Sequence, residues 1–183
     1  MKVNINIYDN LQKEIKVNYG FMDSPFGEML LMVSDGKICY LGFVNNNINN
    51  KEEVLNMAKQ SFKNVKADFV QGNLQDIGKN IWTDNPQNIL LIGTPFQIKV
   101  WQALLEIPMG RVISYEVLSK SVSGLSADRN YTRAVANSVA KNKISYIIPC
   151  HRVIAKNGSL HKYLWGTDLK RKILAHEGVN FYD

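Results

Sequence analysis

Apolar and polar positions alternate near the start of the chain. Val3, Ile5 and Ile7 are separated by asparagines, the period-two pattern of a half-buried strand rather than of a signal peptide. Two further apolar-rich runs, 18–22 and 28–34, flank Asp23-Ser24-Pro25-Phe26-Gly27, a composition that predicts a turn. Asp35-Gly36 is a two-residue hairpin signal before a strand over 37–43. The asparagine-rich run 45–50 reads as a loop. Val54, Leu55, Met57, Ala58 and Phe62 recur at helical spacing and predict an amphipathic helix over 52–62. Asp84-Asn85-Pro86 reads as a linker or turn.

The pattern changes in the second half. Thr94-Pro95 predicts a helix start, with Thr94 as cap and Pro95 in first position. Phe96, Val100, Ala103 and Leu104 form its apolar face, and Pro108-Met109-Gly110 ends it. Val112-Ile113 is a short extended piece. Ser114 caps a second helix over 116–121, Ser123-Gly124-Leu125-Ser126 is a turn, and a third helix covers 129–141 with Val135, Val139 and Ala140 inward. Two short helices joined by a glycine-containing turn are a helix-turn-helix signature. The later helix is rich in small residues, Ala134, Ala136, Ser138 and Ala140. They suit either close approach to a nucleic-acid backbone or close helix packing, and both readings stay open.

Composition narrows the class. With 45 % hydrophobic and 10 % aromatic residues in 183, the chain is globular, with one good core or two small ones. No apolar run is long enough to span a bilayer. The net charge of +6 is unevenly divided: residues 1–90 carry 9 Lys/Arg against 10 Asp/Glu, and residues 91–183 carry 13 against 6. The basic excess lies wholly in the half that holds the helix-turn-helix, as expected if that half meets a polyanion.

Reactive chemistry centres on Cys150. Cys39 and Cys150 are read as reduced thiols, since no secretory signal accompanies them. His151, His161 and His176 have no zinc-ligand spacing to the cysteines, so no metal is implied. Ser145-Tyr146-Ile147-Ile148-Pro149 is an apolar approach to Cys150, and a cysteine in an apolar run is ordinarily a buried hydrophobe. Its neighbours change that reading: His151 supplies a base and Arg152 a positive charge, and either favours the thiolate. Contact between adjacent residues requires an irregular turn or a bridging water. Glu177 is a candidate third member to orient the imidazole, although nothing in the spacing places it there. A DNA-binding regulator without chemistry would explain the charge and the helices but not Cys150-His151-Arg152. A cysteine hydrolase would normally draw its histidine from a distant position.

Pro149-Cys150-His151-Arg152-Val153, with Arg133-Ala134-Val135 and Asn142 before it and His176-Glu177-Gly178 after it, closely resembles the O6-alkylguanine-DNA alkyltransferases. Gly93-Thr94-Pro95-Phe96-Gln97 and Ser114-Tyr115 fit the same family, and Asp23-Ser24-Pro25-Phe26-Gly27 is similar to its amino-terminal domain. The resemblance implies a small α/β domain of ribonuclease-H-like topology over 1–88, then a helical, winged-helix-like helix-turn-helix domain over 91–179. It implies minor-groove binding of double-stranded DNA by a monomer, with an O6-alkylguanine, and also O4-alkylthymine, flipped out of the duplex. On this resemblance Cys150 is the acceptor, His151 the water-mediated base, Glu177 the carboxylate that polarises it, and Asn142 the brace of the turn. Tyr115 pushes the phosphate and donates a proton to guanine N3. Arg133 fills the gap left by the flipped nucleotide. Tyr163 and the Val153 carbonyl line the guanine pocket, and Leu164, Ala134 and Arg152 complete the surface expected to meet substrate and DNA. Transfer to sulfur is irreversible and needs no cofactor. The expected location is the cytoplasm, or the nucleus in a eukaryote.

Some positions depart from the pattern. Some relatives hold zinc in the amino-terminal domain, but that half here has only Cys39 and no histidine, so no zinc is expected and Cys39 is read as structural. Non-catalytic relatives replace the acceptor by Trp or Ala, which Cys150 argues against. Leu164-Trp165-Gly166 stands where many members have Ser-Gly-Gly. Bulky Trp165 is expected to favour methyl over benzyl-sized groups. Transfer should therefore be clearly faster from O6-methylguanine than from O6-benzylguanine, and near-equal rates would contradict this.

Overall fold

The structure is a computed structural model that describes residues 2–8, 14–44, 50–123, 129–160 and 163–180. The asparagine-rich loop before Asn50 and the turn expected beyond Ser123 lie outside the described residues. The chain divides into two compact units: 1–92 with 143–147, and 93–142 with 148–183.

The first unit is built on a six-stranded mixed sheet. Its strands are β1 (Val3–Ile7), β2 (Ile15–Ser24), β3 (Gly27–Ser34), β4 (Lys37–Phe43), β5 (Ala67–Gln71) and β6 (Gln87–Leu91), in spatial order β1-β6-β4-β3-β2-β5. The β2–β3 connection is Pro25-Phe26, inside the expected turn. At the β3–β4 hairpin Asp35 and Gly36 have φ of 49° and 70°. Two successive positive φ values are what a tight hairpin demands, which is why Asp-Gly marks it. Met29 to Val33 of β3 and Ile38 to Leu41 of β4 are buried without alternation, because central strands are covered on both faces. The expected helix is α1 (Lys51–Gln60), which buries Val54 and Ala58 and is capped by Asn50 Oδ1, which accepts from the Glu52 amide at 2.8 Å. Asp84-Asn85-Pro86 leads directly into β6, so the sheet continues past 88 and the unit runs to Ile92. The sequence reading did not anticipate β5, β6 or the helix α2 (Gln75–Asn80).

A distant segment completes this unit. Lys143 O accepts from the Leu41 amide at 2.9 Å, and the Ser145 amide donates to Leu41 O at 3.0 Å, a parallel bridge beside β4. Lys143 Nζ donates to Ile92 O at 2.9 Å and lies 5.1 Å from the Phe62 ring centre. The Tyr146 ring packs on Phe26 and Trp82, with centroids 5.6 and 4.7 Å away. Cys39 is buried, and burial pushes its thiol up to about 12. That is the behaviour of a structural cysteine.

The second unit is helical. α3 (Pro95–Leu105) begins with a reciprocal cap: the Gln97 amide donates to Thr94 Oγ1 at 3.3 Å, and the Thr94 amide donates to Gln97 Oε1 at 3.0 Å. Its buried face is Ile98, Val100, Trp101 and Leu104, whereas Phe96 and Ala103 are only half-buried. The stripe centres on Trp101, the largest side chain, whose Nε1 donates to Ser138 O at 2.8 Å. Ser114 caps α4 (Tyr115–Ser123) by accepting from the Val117 amide at 3.2 Å. On α5 (Arg129–Ala140) Val135 and Val139 are buried as expected, but Ala140 is exposed. It lies five residues beyond Val135, a rotation of about 140° around the helix. β7 (Ile113–Ser114) pairs in parallel with β8 (Val153–Ile154), and α6 (Thr167–His176) follows.

Candidate active site around Cys150

The approach to Cys150 is made of two three-residue turns. The Ile147 amide donates to Ser145 O at 2.9 Å around Tyr146, whose φ is +68°, in the left-handed region that a tyrosine rarely enters. The Cys150 amide donates to Ile148 O at 2.8 Å around Pro149, at φ −81° and ψ 60°. Cys150, His151 and Arg152 then form one 3-10 turn, the irregular geometry expected where adjacent side chains are to act together. Asn142 Nδ2 donates to Ile148 O at 2.9 Å and to Cys150 Sγ at 3.1 Å, linking the backbone of the turn to the thiol.

Charge in the site is concentrated on Glu177, at the carboxyl end of α6. Its Oε1 lies 2.9 Å from His151 Nε2 and 2.8 Å from the Arg152 guanidinium, and its Oε2 accepts from Arg152 Nε at 2.9 Å. The His151 and Glu177 side chains are 0 % and 1 % exposed. Burial alone pushes the Glu177 carboxyl up, but the hydrogen bonds from His151 and Arg152 outweigh it and hold it at about 2. The carboxylate is therefore ionised and fixes His151 with Nε2–H toward it, which makes Nδ1 the basic nitrogen.

Burial holds both the thiol and the imidazole neutral. It pushes the Cys150 thiol up, opposed by the Asn142 hydrogen bond, the Lys170 charge and a hydrogen bond with Tyr163. It pushes His151 down, with Glu177 pulling the other way. The Tyr115 hydroxyl is pushed up by burial and then by Cys150, so it is a proton donor at neutral pH. The β7–β8 pairing, Ile113 with Val153 and Ser114 with Ile154, sets the start of α4 beside the residue that follows Cys150-His151-Arg152.

Lys170 belongs to the same cluster and was not among the expected site residues. Its residue is 1 % exposed, and Nζ donates to Val153 O at 2.6 Å and to Leu160 O at 2.7 Å. Nζ also lies 5.9 Å from the Tyr163 ring centre, and burial lowers the ammonium to about 8. The available signal was helical spacing: Lys170, Ile173, Leu174 and Glu177 fall on one stripe of α6, so a lysine in that stripe faces inward.

The remaining expected residues lie elsewhere in the unit. Arg133, Ala134, Asn137, Ala140 and Lys141 are exposed along α5 and its end, so the small residues at 134 and 140 leave an open helix surface. Ala136 is intermediate and Ser138 is buried, and the Ser138 carbonyl accepts from Trp101, so part of the small-residue pattern is helix packing. Leu164 is 46 % exposed, whereas Trp165 is 2 % exposed and sits in the core. Arg152, expected on the surface that meets substrate and DNA, is only 11 % exposed in its side chain. Its guanidinium is engaged by Glu177 and by Ile107 O, because the 3-10 turn directs it inward.

Residues 95–179 match the family model described as 6-O-methylguanine DNA methyltransferase, DNA binding domain. The chain is 33 % identical over 172 residues to the bifunctional transcriptional activator/DNA repair enzyme Ada of Escherichia coli, covering 92 % of this chain and 47 % of that protein. It is 45 % identical over 112 residues to the methylated-DNA--protein-cysteine methyltransferase of Salmonella typhimurium, covering 61 % of this chain and 59 % of that one. The crystal structure of Mycobacterium tuberculosis OGT in complex with DNA superposes with a TM-score of 0.61 at 26 % identity, over 88 % of this chain and 92 % of that one. The chain spans about half the length of the curated relatives it matches.

Fold and site together define a class, a mixed-sheet domain followed by a helical DNA-binding domain that carries a buried Cys-His-Glu cluster. Residues 95–179 carry the DNA-binding domain of the O6-methylguanine-DNA methyltransferase family.

The buried carboxylate makes the fold acid-sensitive. The Glu177 carboxyl titrates near 4.5 when unperturbed and at about 2 in the folded protein. Its contribution to stability is therefore complete above the unfolded value and lost as pH falls toward the folded one. Glu177→Gln should cost about 3 kcal/mol at neutral pH, because Arg152 and His151 are left buried without their anion. The variant should then lose less stability than the parent between about pH 5 and about pH 2. Chemical denaturation across that range checks this, and parallel losses in the two proteins would contradict it.

Proposed function

We propose that this protein repairs alkylated DNA by transferring the alkyl group of O6-alkylguanine, mainly methyl, to Cys150, with O4-alkylthymine as a second substrate. The observation that carries the reading is a neutral buried thiol held by Asn142 at 3.1 Å, next in sequence to an imidazole oriented by an ionised carboxylate at 2.9 Å. The match of 95–179 to the family's DNA-binding domain supports it.

In this mechanism the thiol proton passes to His151 Nδ1 through a bridging water as sulfur attacks the alkyl carbon in line. An S–C bond forms and the C–O6 bond breaks. The electron pair goes to the guanine, which is neutralised by a proton from the Tyr115 hydroxyl at N3. Lys170, Asn142 and Tyr163 stabilise the developing thiolate. Lys170 also fixes the Val153 carbonyl that accepts from the guanine amine. The product is a thioether, so each molecule acts once.

The exposed face of α5 is the DNA-facing surface in this reading. Ala134 permits close approach of the minor-groove backbone, and Arg133 takes the place of the flipped nucleotide. Extrusion costs a few kcal/mol, part of which the inserted side chain offsets. Leu164, exposed next to Tyr163, borders the pocket.

Incubation with duplex DNA containing O6-methylguanine should add about 14 Da to the intact protein, the methyl-for-hydrogen exchange at a thiol, and peptide mapping should place it on Cys150. Cys150→Ser should abolish the adduct, since a serine hydroxyl is almost wholly protonated near neutral pH. Sequence-specific DNA binding with no adduct would favour a regulator instead. Arg133→Ala should keep its rate with the free alkylguanine base but lose much of it on duplex DNA, and equal loss on both would contradict the flipping role.

A further inference from the structure

Arg152 makes more polar contacts inside the second unit than a surface arginine needs. Nε and one terminal nitrogen donate to the two oxygens of Glu177 at 2.9 and 2.8 Å, and the other terminal nitrogen donates to the Ile107 carbonyl. Its side chain is 11 % exposed. A planar guanidinium binding both oxygens of a carboxylate fixes the rotation of that carboxylate as well as its charge. Glu177 needs both. It stands at the carboxyl end of α6, where the helix dipole disfavours an anion, and its Oε1 is shared with His151.

We propose that Arg152 is a positioning residue: by clamping Glu177 it fixes the tautomer and the orientation of His151, and through His151 the deprotonation of Cys150. Every atom of this chain of contacts belongs to one compact unit. Among the described residues, Glu177, Arg152 and Lys170 act on His151. Glu177 makes the imidazole more basic, and the Arg152 and Lys170 charges make it less so. Arg152 thus holds the carboxylate in place while limiting how far it raises the basicity of the histidine. A lysine could supply the charge but not the two-point grip.

The inference rests on the alkyl-transfer reading, so the test includes a readout independent of it. Arg152→Gln and Arg152→Lys are compared with the parent using histidine-selective 15N spectra across pH, the rate of reaction with free O6-methylguanine base, and the salt dependence of binding to an unmodified duplex. In Arg152→Gln the His151 ring nitrogens should lose the pure Nε2–H signature and His151 should titrate at higher pH. The rate should fall about tenfold or more, part of what a general base contributes, with its acid limb moved to higher pH. Arg152→Lys should restore part of the rate and of the spectrum. The salt slope should be unchanged, because no phosphate contact is removed. A slope lower by about one, with free-base rate and His151 spectrum intact, would make Arg152 a DNA contact and overturn the proposal. Unchanged His151 signals in a folded variant would overturn it too, and if Arg152→Gln does not fold, the Lys variant decides by the same readouts. Failure of the parent itself to transfer would count against the function, while the His151 spectra still decide the positioning role.

Discussion

The Glu177 carboxylate accepts three hydrogen bonds, one from His151 and two from Arg152, in a place where its side chain is 1 % exposed. A buried anion survives only when its partners replace the water it has lost, and removing one partner leaves an uncompensated charge. Two of the three consecutive residues Cys150, His151 and Arg152 therefore become attached to the end of α6, 25 and 26 residues further along the chain. That attachment, with Asn142 on the other side, explains why the 3-10 turn holds one shape and why the thiol sits at a fixed point.

Around this anchor the protein keeps a nucleophile in its unreactive form. Burial leaves the thiol and the imidazole neutral, so the resting site is protected from casual oxidation, which follows the thiolate. Asn142, Tyr163 and Lys170 all favour the anion without forming it. Lys170 is itself lowered to about 8, and it remains buried by donating hydrogen bonds to the Val153 and Leu160 carbonyls. On the proposed function such restraint matters, since a single-use acceptor is spent by any stray reaction.

Much of this was legible in the residues. Asp35-Gly36, Thr94-Pro95 and Ser114 marked their turns and caps because those residue types satisfy local backbone demands. The Cys150-His151-Arg152 run located the site. What stayed hidden depends on distant partners. Residues 143–147 join the first unit through Leu41, about a hundred positions away, and no local period encodes that bridge. β5 and β6 are short and read as polar-apolar mixtures, so tertiary pairing decides them. The resemblance puts Arg152 on the surface that meets substrate and DNA, and only its contacts with Glu177 and the Ile107 carbonyl turn it inward. Lys170 draws no attention as a lone lysine, although its spacing places it on the apolar stripe of α6.

In the proposed function Cys150 is consumed by the chemistry rather than regenerated. The direct measurement is a stoichiometric one: a known amount of protein is mixed with a large excess of duplex carrying methyl-labelled O6-methylguanine, and label is followed to completion. The account predicts a plateau at one methyl group per chain, all of it on Cys150, with no label released afterwards. Repeated turnover beyond one equivalent, or a plateau with the label on another residue, would contradict it.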